Sequence, residues 1–311
     1  MSYQMSNHAS ASLKGFLILS RLPFLSPGIA AFVTGLAFGV GDGYDADLVL
    51  VGIAAAGLAL IMLATYYFNE YYDFEGDVIN RSFIKFSGGS RALPDNMVSR
   101  PAARASGIVS VGILALIAVV YMFLYFEEYP LLLPLALFGA FCGVFYSHPP
   151  FQWAYQGIGE IMIGGCYGVL ALVSGHYIVS GVLEPEMILV AIPASLTVFG
   201  VIVANEFPDY EADKAVNKLN IMVRLGLRRG SFVFVAAMAL TYPLMLMSVL
   251  VGVSPMIAVV ALPVLLFCAI AIRETIRGGY EKAESQMKIS GATLFANLLS
   301  SLLFIPVVLI W

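Results

Sequence analysis

Long runs of apolar residues follow one another along most of the chain. A helix that crosses the apolar part of a bilayer needs about 20 such residues. The runs that reach or approach this length cover approximately residues 22–40, 48–67, 108–126, 131–146, 158–179, 187–204, 231–251, 256–272 and 289–310. They lack the alternation of a transmembrane strand. The pattern therefore predicts an all-α integral membrane protein with nine transmembrane helices.

Composition supports the membrane assignment and excludes other classes. The 311 residues are 60% hydrophobic and only 12% charged, whereas a soluble domain is about half apolar and about a quarter charged. With 16 Lys and Arg against 20 Asp and Glu, the chain has no basic field to attract nucleic acid. Membrane lipid is the expected surrounding, and no nucleic-acid partner is expected.

The positions of the cations predict the orientation. With the N-terminus in the cytoplasm, all 16 fall on the cytoplasmic side: Lys14, Arg21, Arg81, Lys85, Arg91, Arg100, Arg104, Lys214, Lys218, Arg224, Arg228, Arg229, Arg273, Arg277, Lys282 and Lys288. The opposite loops hold only acids: Asp42, Asp45, Asp47, Glu127, Glu128, Glu184 and Glu186. Cytoplasmic loops carry an excess of Lys and Arg, which places the N-terminus inside and the C-terminus outside.

A nine-residue pattern occurs twice, as NEYYDFEGD at 69–77 and as NEFPDYEAD at 205–213. Both copies share an Asn and two Asp residues spaced four apart, so these side chains lie on one helix face. Four predicted spans separate the copies, which places both on the cytoplasmic side as a parallel internal repeat. We expect a single domain over 1–311, with the loops 70–105 and 206–230 capping its active site.

The repeated acids favour a metal site. They lie at the C-terminal ends of helices, where the macrodipole disfavours a carboxylate, and neither copy contains a base. Mg²⁺ prefers oxygen ligands and is commonly held by carboxylates together with phosphate oxygens. The expected ligands are Asn69, Asp73, Asp77, Asn205, Asp209 and Asp213, the four aspartates being the catalytic candidates. Charged but functionless helix ends are the simpler alternative.

A basic loop near the first copy suits a phosphate group. In NRSFIKFSGGSRALP, Lys85 and Arg91 flank a Ser-Gly-Gly-Ser segment whose N–H groups are able to bind an anion. Arg21 and Arg224 are further candidates for this role. A membrane enzyme with two such acid motifs and a basic loop should act on a lipid diphosphate. If this lipid is an allylic prenyl diphosphate, loss of diphosphate leaves a carbocation, which aromatic rings stabilise. The tyrosines near this face are Tyr66, Tyr67, Tyr71, Tyr72 and Tyr146; we expect Tyr146 to be catalytic and Tyr72 to bind substrate.

Nine spans with the paired motifs resemble the UbiA superfamily of intramembrane prenyltransferases. The resemblance covers nearly the whole chain, and it implies that the six motif residues bind Mg²⁺ and a prenyl diphosphate in a cavity open to the bilayer. The stretches YSHPPFQWAYQGIGE at 146–160 and DKAVNKLNIMVRLG at 213–226 are similar to the menaquinone branch. That branch attaches a polyprenyl chain to 1,4-dihydroxy-2-naphthoate, an aromatic acceptor.

Some residues depart from the family pattern. Glu70 and Glu206 stand where many members have Asn or Asp, and Pro208 stands where menaquinone-type members often have Arg. A proline at this position is expected to bend or end the helix. Glu160 has two interpretations, one that it holds the acceptor or a neighbouring cation, the other that it stabilises a helix N-terminus.

Two alternatives remain open at the level of sequence. The first keeps the enzyme class and changes the acceptor to a glycerol-phosphate lipid, a haem or a chlorophyll precursor. The second is a divalent-cation transporter that uses the same acids as a translocation site. The parallel arrangement of the repeat argues against a transporter, because many transporters are built from inverted repeats with acids near the midplane.

Overall fold

The structure is a computed structural model that describes residues 13–310. Every regular element in this range is helical. The α-helices in chain order are α1 (Leu13–Leu19), α2 (Ser26–Gly41), α3 (Leu48–Ile79), α4 (Arg100–Leu124), α5 (Leu132–Phe145), α6 (Gly159–Gly165), α7 (Ala171–Ser180), α8 (Glu186–Ala215), α9 (Ile221–Leu225), α10 (Leu227–Met247), α11 (Ile257–Val260), α12 (Leu262–Ile276), α13 (Ala283–Leu302) and α14 (Phe304–Ile310). A π-helical turn, Cys166–Leu170, joins α6 to α7.

Seven helical segments of the described chain are long and apolar enough to cross a membrane. They are Leu13–Gly41, Leu48–Ile79, Arg100–Leu124, Gly159–Ser180, Glu186–Ala215, Leu227–Val251 and Ala283–Ile310. The other two predicted spans correspond to α5, which has 14 residues, and to α11 with α12, where the helix is interrupted at Ala261. At 1.5 Å per residue, α5 is only about 21 Å long. The all-helical class is confirmed, and nine crossings stay a prediction.

Helix α3 carries the first copy of the acid motif. Its N-terminus is capped by Asp47, whose carboxylate accepts hydrogen bonds from the N–H groups of Val49 (2.8 Å) and Leu50 (3.2 Å). Its 32 residues make it about 48 Å long, which exceeds the apolar thickness of a bilayer, about 30 Å. The helix is therefore long enough to carry its polar last turns beyond the apolar layer.

Helix α8 carries the second copy, and polar contacts to α13 fix its position. The hydroxyl groups of Thr197 and Ser300 are 2.9 Å apart, and the Asn297 amide donates to Thr197 Oγ1 at 3.1 Å. All three side chains are buried. Lipid tails are as apolar as the helix surfaces, so the hydrophobic effect does not drive helices together within a membrane. Interhelical hydrogen bonds of this kind contribute to their association instead.

The two loops expected to cap the site are shorter than the sequence indicated. The expectation that they begin at residues 70 and 206 was wrong, because α3 continues to Ile79 and α8 to Ala215. Pro208 does not end α8, since the helix runs on past it. Helix α4 begins at Arg100, after the Ser99 cap, and α9 begins at Ile221. The connecting segments are therefore 80–99 and 216–220, and the motif residues themselves are helical.

Candidate active site

The two acid motifs line one polar cavity at the C-terminal ends of α3 and α8. Its volume is about 1080 Å³, counted with its opening to solvent. All six predicted metal ligands border it: Asn69, Asp73, Asp77, Asn205, Asp209 and Asp213. Arg21 and Tyr146, which were also predicted as site residues, border it as well. The structure therefore brings together residues that lie more than a hundred positions apart in sequence.

Asp73 accepts hydrogen bonds on both carboxylate oxygens. The Asn69 amide, one helical turn earlier, donates to Oδ2 at 2.8 Å, and the Lys218 ammonium lies 2.7 Å from the same oxygen. The Tyr155 hydroxyl donates to Oδ1 at 2.9 Å. Burial raises the pKa of Tyr155, and the Asp73 carboxylate raises it further. The phenol therefore stays protonated and donates its hydrogen to Asp73.

Lys218 joins the two motifs. Its ammonium nitrogen lies 2.7 Å from Asp73 Oδ2 and 3.5 Å from Asp213 Oδ1. Burial by itself would favour the neutral amine, but the carboxylates of Asp213 and Asp73 outweigh it and raise the pKa of Lys218 well above its ordinary value. Lys218 is therefore a fixed positive charge between two carboxylates.

The sequence analysis missed both Lys218 and Tyr155. Lys218 follows the second motif by five residues, and it was counted only as a cation that orients the chain. Each residue lies in one of the two stretches that carry the resemblance to the menaquinone branch, and this is the signal that could have found them.

The glycine-containing segment 80–99 folds over the motifs. The Asn80 amide donates to Asp209 Oδ1 at 2.7 Å, and the Gly88 N–H donates to Asp209 Oδ2 at 3.0 Å. Gly89 has a φ of 69°, and a Cβ at this position would lie 2.2 Å from Asp77 Oδ2. Only glycine allows so close an approach of the backbone to the carboxylate.

Arg21 reaches the cavity from the segment between α1 and α2. Its guanidinium lies 3.8 Å from the Glu70 carboxylate and packs over the ring of Phe24, 4.7 Å from its centroid. Glu70 is 1% exposed and also accepts hydrogen bonds from the N–H and the hydroxyl of Ser90, at 2.6 and 2.7 Å. Glu70 therefore ties the 80–99 segment to α3 and holds Arg21 at the rim.

Five predicted binding residues do not line this cavity: Lys85, Arg91, Arg224, Tyr72 and Glu160. Lys85 is exposed. Arg91 donates to the backbone carbonyl of Asp77, and Arg224 donates to the carbonyl of Leu219 at 2.8 Å. The Tyr72 ring packs against His148 with centroids 5.2 Å apart.

Glu160 has a structural partner near the start of α9. It is 1% exposed, and its Oε1 accepts a hydrogen bond of 2.7 Å from the Ile221 N–H. Glu160 also lies in the first turn of its own helix, α6, where an acid is favoured, so it contacts the N-terminal turns of two helices.

The donor set fits Mg²⁺. The six predicted ligands offer only carboxylate and amide groups, and Asn205 Oδ1 and Glu206 Oε2 are buried without a hydrogen-bond partner. Six acids border the cavity or touch its rim, namely Glu70, Asp73, Asp77, Glu206, Asp209 and Asp213, whereas Arg21 and Lys218 are the cations of the lining. A hard divalent cation would use the orphaned oxygens and balance the excess negative charge.

A second cavity, of about 890 Å³ counted with its open side, lies among the helices. Its walls come from α2 to α5 and from α6 to α7, and they are almost entirely apolar. Thr65, Ile163 and Tyr167 border both cavities. The polar site therefore adjoins an apolar chamber within the helical bundle.

The chain belongs to the UbiA prenyltransferase family, which it matches over residues 29–301. It is therefore a prenyltransferase, and its apolar helices make it an integral membrane protein. The resemblance inferred from the sequence is confirmed.

Two curated relatives act on naphthalene-type acceptors according to their names. The chain is 26% identical to the 1,4-dihydroxy-2-naphthoate octaprenyltransferase of Bacillus subtilis over 219 residues, which are 70% of this chain and 68% of the relative. It is 31% identical to the chloroplastic 2-carboxy-1,4-naphthoquinone phytyltransferase of Arabidopsis thaliana over 142 residues, 42% of this chain and 35% of the relative. The chain thus matches only about a third of the plant protein.

Solved structures show the same fold. A digeranylgeranylglyceryl phosphate synthase superposes with a TM-score of 0.62 at 19% identity, covering 96% of this chain and 98% of that one. A UbiA homolog from Archaeoglobus fulgidus, bound to GPP and Mg²⁺, superposes with a TM-score of 0.60 at 18% identity, covering 95% and 99%. At this level of identity the likeness establishes the fold alone.

Proposed function

We propose that the protein transfers a prenyl group from an allylic prenyl diphosphate to an aromatic acceptor of the 1,4-dihydroxy-2-naphthoate class, with Mg²⁺ as cofactor. The observation that carries the proposal is the position of two oxygen-only acid motifs around one cavity that adjoins an apolar chamber. The naphthoate relative covers more than two thirds of this chain and supports this acceptor class. The chain is also similar to a digeranylgeranylglyceryl phosphate synthase and to a chlorophyll synthase. The test below therefore compares the naphthoate with other acceptors.

The polar cavity binds the diphosphate end of the donor. Asp73, Asp77, Asp209 and Asp213, assisted by Asn69 and Asn205, would hold Mg²⁺. A bound Mg²⁺ would supply positive charge that offsets the charge of the departing diphosphate. Arg21 and Lys218 border the same cavity and add charge-assisted hydrogen bonds to the anion. Lys85, Arg91 and Arg224 lie outside the lining and take no part in this proposal.

The apolar chamber shelters the prenyl chain. Its walls bury apolar surface of the chain and exclude water from the carbon that loses diphosphate. Tyr66, Tyr146 and Tyr167 border the polar cavity, and their ring faces stabilise positive charge on the allylic carbon. A carbocation generated here is therefore protected until the acceptor ring reacts.

The reaction is an electrophilic aromatic substitution. The bond between the allylic C1 and the diphosphate oxygen breaks, diphosphate leaves with the electron pair, and a ring carbon of the acceptor bonds to C1. The ring recovers aromaticity when this carbon releases a proton or its carboxyl group as carbon dioxide. The residues of this chain position both substrates and stabilise the charges that develop.

We further propose nine membrane crossings in a single domain, with the N-terminus and the active site on the cytoplasmic side. The structure places Arg21, Arg91, Arg100 and Lys218 at the end of the bundle that contains the acid motifs. Asp47 caps the far end of α3. This distribution of charge supports the proposed orientation, because positive charge collects on the cytoplasmic side.

The decisive experiment uses the full chain in detergent or nanodiscs with prenyl diphosphates and a panel of acceptors, with and without Mg²⁺. Mass spectrometry of the products should show prenylated naphthoate only with Mg²⁺.

The Asp73→Asn variant should fold and should lose at least about a hundredfold in rate. Asp95→Asn, which changes an exposed acid on the 80–99 segment, is the matched control. Full activity of Asp73→Asn contradicts the site assignment. Product with another acceptor only contradicts the acceptor, and Mg²⁺ flux into proteoliposomes without any donor would favour a transporter.

A further inference from the structure

Three side chains of metal-binding type meet at the end of the bundle opposite the acid motifs. Asp42 follows the last turn of α2, His176 lies at the middle of the ten-residue helix α7, and Glu184 precedes α8. His176 Nε2 is 3.5 Å from Asp42 Oδ2 and 3.8 Å from Glu184 Oε2. The three potential ligand atoms lie within 4.8 Å of one another. The proposed prenyl transfer uses none of these residues.

The hydrogen bonds around His176 leave its Nε2 without a partner. His176 is 1% exposed, and Nε2 is buried and makes no hydrogen bond with either carboxylate. On the other side of the ring, Nδ1 lies 3.2 Å from the Ser180 hydroxyl. The same hydroxyl lies 3.1 Å from the Val182 carbonyl oxygen, and in the tautomer in which it donates there, Nδ1–H donates to Ser180. This tautomer directs the lone pair of Nε2 toward two carboxylates.

Such an arrangement favours a cation between the ligands. A lone pair that faces two negative groups in a partly buried pocket is repulsive, and the orphaned nitrogen adds a desolvation cost. The spacing suits an ion, because ligand atoms about 2.1 Å from a tetrahedral Zn²⁺ are about 3.4 Å apart. The observed 3.5 and 3.8 Å are close to this value. The bond from Nδ1–H to Ser180 is also the kind of outer contact that orients a ligating histidine.

Close packing of α2 against α7 holds two of these ligands in place. A Cβ on Gly35 would lie 1.9 Å from the Leu172 carbonyl oxygen, and one on Gly175 would lie 2.1 Å from the Phe32 carbonyl oxygen. Helices approach so closely only through residues without side chains. The separation of Asp42 from His176 is therefore set by the backbone. The Asp42 and Glu184 side chains are 49% and 36% exposed, which leaves a path for an ion from water.

We propose that Asp42, His176 and Glu184 form a site for a zinc-type divalent ion, with water in the fourth position. One imidazole with two carboxylates is a ligand set suited to Zn²⁺ and distinct from the all-oxygen sites preferred by Mg²⁺. The ion links the end of α2 and the middle of α7 to the segment before α8, and it stabilises the bundle at the face away from the acid motifs. The proposal is independent of the acceptor and of the prenyl-transfer reaction.

The test is zinc binding by the full chain in nanodiscs, purified without a histidine tag. Because the acid motifs are also able to take up Zn²⁺, the informative signal is imidazole scattering in zinc X-ray absorption. The cavity lining of the described chain contains no histidine. The chain has three histidines, so the double variant His8→Gln with His148→Gln retains only His176. We expect this double variant to bind zinc through one imidazole. We expect the His176→Gln variant to lose the imidazole scattering.

Carboxylate variants keep the test independent of the buried histidine. Asp42→Asn and Glu184→Gln change partly exposed side chains, and each should weaken zinc binding at this site at least about tenfold and abolish the rise in Tm that zinc produces. Asp45→Asn, an exposed acid in the same loop, should leave both unchanged. The proposal is overturned if zinc bound to the double variant shows no imidazole scattering, or if Asp42→Asn and Glu184→Gln bind zinc as the parent does. A parent chain that binds no zinc through imidazole also overturns it.

Discussion

Lys218 occupies the place of a cation between the two acid motifs. Its ammonium contacts Asp73 at 2.7 Å and Asp213 at 3.5 Å, and its raised pKa keeps it charged across the physiological range. Removing one member of such a buried pair leaves uncompensated charge. The same side chain borders the cavity proposed for diphosphate, so it serves both the stability of the free protein and the binding of the anion.

Replacing Lys218 should therefore have two separable effects. The Lys218→Met variant should lose about a hundredfold in kcat/KM for the prenyl diphosphate, because one charged donor to the leaving group is missing. Its Tm should fall without Mg²⁺ and recover when Mg²⁺ is added, since the ion offsets the uncompensated carboxylates. Steady-state kinetics and thermal unfolding measure the two effects. Lys214→Met, an exposed neighbour on α8, is the control; equal loss in both variants would contradict the specific role of Lys218.

The motif residues could be predicted from sequence because a spacing of four places them on one helix face. Asn69 and Asp73 are in fact hydrogen-bonded across one turn. The cations could not be ranked in the same way, since membrane topology alone already explains basic residues in these loops. Lys85 and Arg91 were favoured for their nearby glycines, yet Lys218 and Arg21 border the cavity. Which side chain of a loop borders the cavity depends on how that segment folds. The spacing of residues in the sequence does not predict it.

At the scale of elements, glycine determines how closely helices approach. Gly35 on α2 and Gly175 on α7 bring the two backbones into contact, as small residues do between helices in membranes. Apolar periodicity did not distinguish this tightly packed pair from helices that face lipid. It also did not distinguish long helices from short ones, since α5 has only 14 helical residues within a longer apolar run.

The contact between α2 and α7 leads to a stability prediction. The Gly35→Val variant places side-chain atoms where the Leu172 carbonyl already lies, and overpacking of this kind costs about 1–3 kcal/mol. Thermal unfolding in detergent should show a lower Tm. Gly52→Ala on α3 is the matched control, because that position is exposed and a Cβ added there would have no neighbouring atom within 4 Å.

The control variant should keep or slightly raise the Tm, since alanine favours a helix over glycine by up to about 1 kcal/mol. A Gly35→Val variant as stable as Gly52→Ala would show that α2 and α7 separate at little cost. It would also remove the backbone constraint that sets the distance from Asp42 to His176.

At the scale of the whole molecule, each cavity is proposed to bind one part of the donor: the polar cavity the diphosphate and the apolar chamber the prenyl chain. The polar cavity lies at the ends of α3 and α8, and the apolar chamber lies among α2 to α7. Residues on the shared wall, such as Thr65 and Tyr167, mark where the diphosphate end gives way to the prenyl chain. Sequence predicted the polar half from its motifs, but the chamber arises from gaps between helices and has no motif.

This division predicts that the chamber limits the length of the prenyl donor. Gly57 on α3 lines the chamber, and a Cβ there would contact only Leu114, at 3.7 Å. The Gly57→Phe variant should fill part of the chamber and shift the preference toward shorter prenyl diphosphates. Each methylene that loses its buried position costs about 0.8 kcal/mol, so excluding one isoprene unit should lower kcat/KM for the longest donors more than tenfold.

Gly52→Phe is the control, because it adds the same ring on an exposed face of the same helix and should leave chain-length preference unchanged. Competition among donors of increasing length, read by mass spectrometry, measures the shift; an unchanged product distribution in Gly57→Phe would place the prenyl chain elsewhere in the bundle.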